Sequence, residues 1–272
     1  MIFAASLEEA LSAATDALAA ASVDTPRLDA ELLLAEASGT DRARLASDPD
    51  AGLSPAAGRV FGDMVRRRVR REPVAYILGR KAFRHIDVGV DPRVLIPRPE
   101  TELLVEVALE LGPRSVLDVG TGSGAVALAA ADELGDASVT ATDASAPALD
   151  VARANAARLG LAERVTLRHG SVPERERFDV ALANLPYVRE DEWPGLAPEI
   201  TRYEPREALV AGPTGLEAIA EVLPRIDANA VAVEVGAGQA AEVVPLARAA
   251  GFGRVEARRD LAGIERVVIG RR

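Results

Sequence analysis

The sequence predicts an α/β fold: a mostly parallel sheet with an antiparallel C-terminal hairpin, preceded by a small helical bundle and a β-hairpin linker. Three observations predict it. After Pro99, strand-like apolar runs alternate with helix-like segments, and repeated strand–helix units make parallel sheets covered by helices. Before Pro73, apolar residues recur at helical spacing instead. Between these regions lies a β-rich stretch broken by Gly79, Gly89 and Asp91-Pro92. The expected organisation is residues 1–73 for the bundle, 74–97 for the hairpin linker and 98–272 for the α/β domain.

In the bundle, Ser6 precedes Leu7 and Glu9 as an N-cap, and Leu11, Ala14, Leu18 and Ala21 follow at helical spacing. Thr25-Pro26 starts a second helix, with Leu28, Leu32, Leu33 and Ala35 expected on one face and Gly39 at its end. Ser54-Pro55 opens another helix, which stops before Pro73. The basic run Arg66 to Arg71 has two readings: a solvated helix face, or a docking patch for an acidic partner or RNA. His85, in the β-rich stretch, is read as structural rather than catalytic.

In the third region the expected strands are SVLDVG, SVTATD, RVTLRHG, FDVALA and AVAVEVG, with helices between them. RVEARRD and ERVVIGR lie close enough in sequence to pair as an antiparallel hairpin.

Composition narrows the function. Hydrophobic residues make up 49% of the 272 residues but aromatics only 3%, so Leu, Val, Ile and Ala must fill the core. The net charge of −10 lacks the broad basic footprint of a general nucleic-acid binder, and no direct sequence-specific nucleic-acid binding is expected. There is no cysteine, which excludes disulfides, thiol nucleophiles and thiolate metal sites. His85 and His169 are the only histidines, so no multi-histidine metal centre is expected. The opening segment lacks a basic n-region, and Glu8, Glu9 and Asp16 interrupt its apolar positions, unlike a signal peptide. No uncharged apolar run reaches the ~18 residues of a membrane span. The expectation is a cytoplasmic monomer.

Two motifs carry the chemistry. Asp118-Val119-Gly120-Thr121-Gly122-Ser123-Gly124 sits between a strand and a helix. Its glycines allow a sharp turn and close approach of a ligand to a helix N-terminus. Asp143 closes the next strand, where a carboxylate can accept from both hydroxyls of a ribose, or can cap the following helix. The loop also satisfies G-x-G-x-x-G/A through Ala125, which keeps a nicotinamide enzyme in view. Asp118 favours a ligand bearing an ammonium and a sulfonium over a pyrophosphate. The D-x-G-x-G-x-G pattern resembles the first motif of Rossmann-like methyltransferases, which implies S-adenosyl-L-methionine as cofactor.

Asn184-Leu185-Pro186-Tyr187 follows the strand FDVALA, at a strand's carboxyl end. It resembles the (N/D)-x-P-Y motif of methyltransferases acting on planar nitrogens. An amide nitrogen is a poor nucleophile and too weak an acid to be deprotonated beforehand. What a site can do is hold both N–H groups with two acceptors and aim the nitrogen. The Asn184 side-chain oxygen and a backbone carbonyl of Leu185 or Pro186 are the candidate acceptors. Pro186 stiffens the turn, and Tyr187 can pack over the planar group. Catalysis would then be mostly alignment, worth up to ~7–11 kcal/mol.

Three stretches together resemble the HemK/PrmC family of release-factor glutamine methyltransferases: Val94 to Glu102 with its IPRPETE segment, the DVGTGSG loop, and NLPYV. RYEPREALVAG and the ending ERVVIGR match more weakly. The resemblance implies a Rossmann-like class I methyltransferase domain acting on the glutamine of the GGQ motif in peptide chain release factors. It implies a cofactor site of Gly120, Thr121, Gly122, Ser123, Gly124, Asp143, Ser171 and Asn184, with Arg98 and Thr101 close by. It implies that Asn184, Leu185, Pro186 and Tyr187 hold the glutamine, with Asn184, Pro186 and Tyr187 catalytic, and that the bundle grips the release factor. Two departures stand out. Leu185 replaces the usual first proline, and His169-Gly170-Ser171 stands where an acid commonly touches the adenine, so Ser171 or backbone groups take over there. A ribosomal-protein glutamine methyltransferase and an rRNA adenine methyltransferase are the rival readings within methyl transfer. Outside it, the rivals are a nicotinamide oxidoreductase and, behind that, a non-enzymatic scaffold keeping the fold.

Overall fold

The computed structural model describes residues 6–272. Residues 1–5, which begin the segment read above as no signal peptide, lie outside the described residues. The chain divides into two compact units, one of Met1–Gly79 with Ala197–Tyr203, the other of Arg80–Leu196 with Glu204–Arg272.

The first unit is helical. α1 (Leu7–Ala20) begins at a capping box, in which Ser6 Oγ accepts from the Glu9 amide and the Glu9 carboxylate accepts from the Ser6 amide. α2 (Pro26–Ser38) ends at Gly39 in the left-handed conformation. Its buried face is Ala30, Leu33 and Leu34, whereas Leu28, expected on that face, is exposed. Next come α3 (Arg42–Ser47), α4 (Pro55–Val69) and α5 (Val74–Leu78). α5 is thus helical where the hairpin linker was expected to begin. The core is aliphatic, with Leu18, Leu33 and Leu34 fully buried around Phe61.

The basic run fits neither sequence reading as a block. Arg68 is buried and reaches Asp29 at 2.6 Å and Glu199 at 2.7 Å, while Arg71 meets Glu199 at 2.6 Å. Glu199 lies on α9 (Pro198–Tyr203), which belongs to this unit although its sequence neighbours do not. Burial alone would raise the Glu199 carboxyl, but hydrogen bonds from Arg71 and Arg68 hold it below its ordinary value. The Tyr203 hydroxyl donates to the Arg70 carbonyl at 2.8 Å, closing the same patch.

The second unit opens with a hairpin of β1 (Arg80–Phe83) and β2 (Ile86–Gly89), and α6 (Glu102–Leu111) follows. Then strands and helices alternate: β3 (Ser115–Val119), α7 (Ala125–Glu133), β4 (Ser138–Asp143), α8 (Ala146–Arg158), β5 (Val165–His169) and β6 (Phe178–Ala183). β7 (Val188–Arg189) pairs in parallel with β8 (Val210–Gly212) in a small separate sheet that the sequence pattern did not reveal. α10 (Glu217–Val222), β9 (Ala228–Glu234), α11 (Ala240–Ala249), β10 (Arg254–Arg259) and β11 (Glu265–Arg271) complete the chain.

The main sheet has seven strands in the order β10-β11-β9-β6-β3-β4-β5. All its pairings are parallel except the two made by β11. The central strands are mostly apolar because helices cover both faces. The carboxyl ends of the neighbours β3, β4 and β6 therefore lie side by side, which is where open α/β sheets place their ligands. Asn155 of α8 locks this end: its side chain bonds Gly89 at both amide and carbonyl, and the Ser123 carbonyl at 2.8 Å.

Candidate functional site

The glycine loop joins β3 to α7. Gly120, Gly122 and Gly124 have φ of +76°, +55° and +85°, a region that side chains with a Cβ rarely enter. Gly120 is the most confined of these against the acceptor loop, since an added Cβ would lie 3.3 Å from Leu185 Cδ2. The Gly120 and Thr121 amides both donate to the Thr142 carbonyl at 2.9 Å. Asp118 is buried and staples the loop: its Oδ2 accepts from the Thr121 hydroxyl at 2.6 Å and the Ala127 amide at 3.2 Å. Burial pushes its carboxyl up to about 7, with Asp143 adding to the rise and those two bonds opposing it.

Asp143 ends β4. Its Oδ2 accepts from the Gly122 amide and its Oδ1 from the Ser145 amide, each at 2.8 Å. A carboxylate oxygen accepts two hydrogen bonds, so both oxygens keep capacity for a ligand. The helix-cap reading falls to Ser145, whose hydroxyl accepts from the Ala148 amide at the start of α8.

Asn184 follows β6. Its Nδ2 donates to the Thr101 hydroxyl at 3.1 Å. Among the described residues no donor reaches its Oδ1, the atom expected to accept. Leu185 is buried in the sheet core beneath Gly120, an apolar plug in place of the family's proline. The Tyr187 hydroxyl donates to Glu234 Oε1 at 3.2 Å, and its carbonyl accepts from Gln239 Nε2 at 2.9 Å. Burial, then the nearby Glu234 charge, pushes the phenol above its ordinary value and keeps it a neutral donor.

Gly120, Gly122, Asp143, Ser171, Asn184 and Leu185 line one cavity of about 450 Å³, with Pro186 at its wall. Thr101, Thr121 and Ser123 line a recess of about 50 Å³ that shares Gly120, Gly122 and Asn184 with it. Three expected residues line neither. Arg98 is paired to Glu204 at 2.5 Å, and Gly124 faces Leu128 and Ala152. Tyr187 borders a separate open groove of about 940 Å³. After β5, Gly170 turns at φ +127° and donates to the Asp143 carbonyl, which brings Ser171 to the cavity.

Sequence reasoning missed several supports. Glu204 is buried and accepts from the Ile96 amide at 3.0 Å as well as from Arg98, so it fixes the segment leading to Thr101. Its only signal was a place in the weaker RYEPREALVAG match. Glu234 and Gln239 had none. Glu207 and Glu221 also line the cavity, and Gly170-Ser171, not an acid, stands directly after β5.

Residues 9–79 match the family described as the PrmC N-terminal domain, and residues 116–203 match a methyltransferase domain. The release factor glutamine methyltransferase of Caulobacter vibrioides is 41% identical, covering 97% of this chain and 96% of its own. That of Moorella thermoacetica is 42% identical, covering 98% of both. Among solved structures, the hMettl16 catalytic domain, determined with an RNA hairpin, has a TM-score of 0.56 at 15% identity and covers 77% of this chain and 82% of its own. That likeness concerns the fold alone. The similarity to the named enzymes runs nearly end to end through both units and both motifs, and the chain belongs to the release factor glutamine methyltransferase family.

Proposed function

We propose that this chain transfers a methyl group from S-adenosyl-L-methionine to the side-chain amide nitrogen of the glutamine in the GGQ motif of peptide chain release factors. The observation that carries the reading is the shared cavity: the glycine loop, Asp143 and the Asn184–Pro186 loop face one space. Its volume of about 450 Å³ suits a small-molecule ligand, for which ~300–1,000 Å³ is usual.

The residues present fit the cofactor. Left-handed glycines leave a cradle without Cβ atoms, and Asp143 keeps lone pairs for two ribose hydroxyls. Gly120, Gly122, Asp143 and Ser171 would hold it. When bound, it supplies an activated methyl on a sulfonium. Thr101 orients Asn184 by taking its Nδ2 hydrogen, which leaves Oδ1 to accept from the substrate amide. The second N–H goes to a backbone carbonyl of Leu185 or Pro186. Tyr187, tied at hydroxyl and carbonyl, stiffens the end of the loop. Alignment of this kind lowers the barrier without a metal or a strong base. The N-terminal helical unit is the proposed grip on the release factor.

Methyl transfer from labelled S-adenosyl-L-methionine tests the reading. Label is expected on a release factor and is expected to vanish when the acceptor glutamine is replaced by alanine. Label on rRNA or on a ribosomal protein, with none on a release factor, would overturn it.

A further inference from the structure

Glu234 is the last residue of β9, a strand adjacent to β6 in the sheet. It is only 2% exposed, yet it carries a carboxyl group in a strand that is otherwise apolar apart from Asn229. Buried carboxyls are costly and are retained where their hydrogen bonds do something specific. The Tyr187 hydroxyl donates to Oε1 at 3.2 Å, and the Thr101 side chain lies near the carboxyl. Oε2 has no hydrogen-bond partner among the described residues.

These two neighbours grip opposite ends of one loop. Tyr187 is its last residue. Thr101 accepts from Asn184, its first residue, at 3.1 Å. A hydroxyl that accepts one bond still has its own hydrogen to give, and Glu234 lies beside it. Asn184, Thr101, Glu234 and Tyr187 thus stand together as a cluster anchored on both ends of the acceptor motif by the Asn184–Thr101 and Tyr187–Glu234 hydrogen bonds. The turn after β9 reinforces it: Gln239 bonds the Tyr187 carbonyl through Nε2 and the Gly236 amide through Oε1.

We propose that Glu234 is a positioning residue, which sets both ends of the Asn184–Tyr187 loop and so aims the acceptor amide without touching it. The proposal rests on reading this loop as the acceptor site. Burial raises the Glu234 carboxyl, and Glu100 adds to the rise while Thr101 and Tyr187 oppose it. The hydrogen bond from the Tyr187 hydroxyl needs the shape of the side chain and an accepting oxygen, both of which glutamine supplies, so glutamine should replace it.

The test measures kcat, KM for the release factor and cofactor Kd in the full chain. Wild type must first label a release factor, and failure there sinks the functional reading rather than this proposal. With wild type active, Glu234→Leu is expected to lower kcat at least about tenfold, with KM and cofactor Kd within about threefold. Glu234→Gln is expected to stay within about threefold of wild type in kcat. Tyr187→Phe, which removes the same bond from the other end with little risk to folding, is expected to lower kcat at least about fivefold at unchanged cofactor Kd. In the Tyr187→Phe background, Glu234→Leu should cost less than it does alone. Wild-type kcat in Glu234→Leu, or a Glu234→Gln variant as impaired as Glu234→Leu, overturns the proposal. Should Glu234→Leu not fold, wild-type kcat in Tyr187→Phe overturns it instead.

Discussion

The Asn184 amide nitrogen and the Thr101 hydroxyl meet at 3.1 Å, so the direction of the acceptor-loop asparagine is decided by a residue of the IPRPETE segment. This gives that segment a physical task. It orients the side chain that must accept, and Glu204 in turn holds the segment through Ile96 and Arg98.

Asn184→Ala removes the accepting oxygen and leaves the glycine loop alone. Turnover is expected to fall by about a hundredfold or more, while cofactor affinity changes by less than about threefold. Calorimetry beside a methyl-transfer assay separates the two. A loss of affinity matching the loss of turnover would assign Asn184 to cofactor binding instead.

Gly120→Ala meets two obstacles, a φ of +76° and Leu185 Cδ2 at 3.3 Å. The expected cost is about 1–3 kcal/mol of stability. Cofactor Kd should weaken about tenfold or more, because the loop must shift at the cavity wall. Thermal unfolding and calorimetry check both, and an alanine variant indistinguishable from wild type would mean that the loop relaxes freely.

Arg68→Met leaves Asp29 and Glu199 without their shared buried partner. Breaking one member of a buried charge group costs about 3–5 kcal/mol. Urea unfolding of the full chain measures it. Arg70→Met, at an exposed position two residues on, serves as the comparison and should stay within about 0.5 kcal/mol.

Asp118 yields a pH dependence of unusual sign. Burial raises its carboxyl from 3.8 to about 7. Between those values the unfolded chain has lost the proton and the folded chain keeps it, so stability falls as pH rises through the window. Relative to Asp118→Asn, the wild type should lose up to about 4 kcal/mol from about pH 4 to about pH 7. Urea unfolding at the two pH values tests this, and parallel behaviour of the two proteins would show that the folded carboxyl ionises normally.

The features readable in the sequence were local ones. The glycine loop, Asp143 and NLPY each lie within a few residues of a strand end, and strand order then brings them together. The strand and helix runs of the α/β unit were legible for the same reason. The supports were not, because their partners are remote: Glu204 joins Arg98 across 106 positions, and Glu234 reaches Tyr187 across 47. A lone glutamate ending a strand looks the same whether it is solvated or buried. The basic run misled likewise, since burial of Arg68 depends on an acid far along the chain. Leu28 failed for a different reason: on a helix packed on one side, the buried stripe is set by its neighbours, and periodicity alone left its phase open.

The excursion of residues 197–203 into the helical unit changes what counts as a separable piece of this protein. The chain crosses between the units after Gly79, after Leu196 and after Tyr203, so one cut cannot part them. A fragment ending at Gly79 would strand Arg68 and Arg71 without Glu199, and the remainder would carry a six-residue helix cut off from its arginine partners. Grafting the helical unit onto another α/β domain would mean transplanting two stretches of sequence, the second of them inserted into the middle of the recipient.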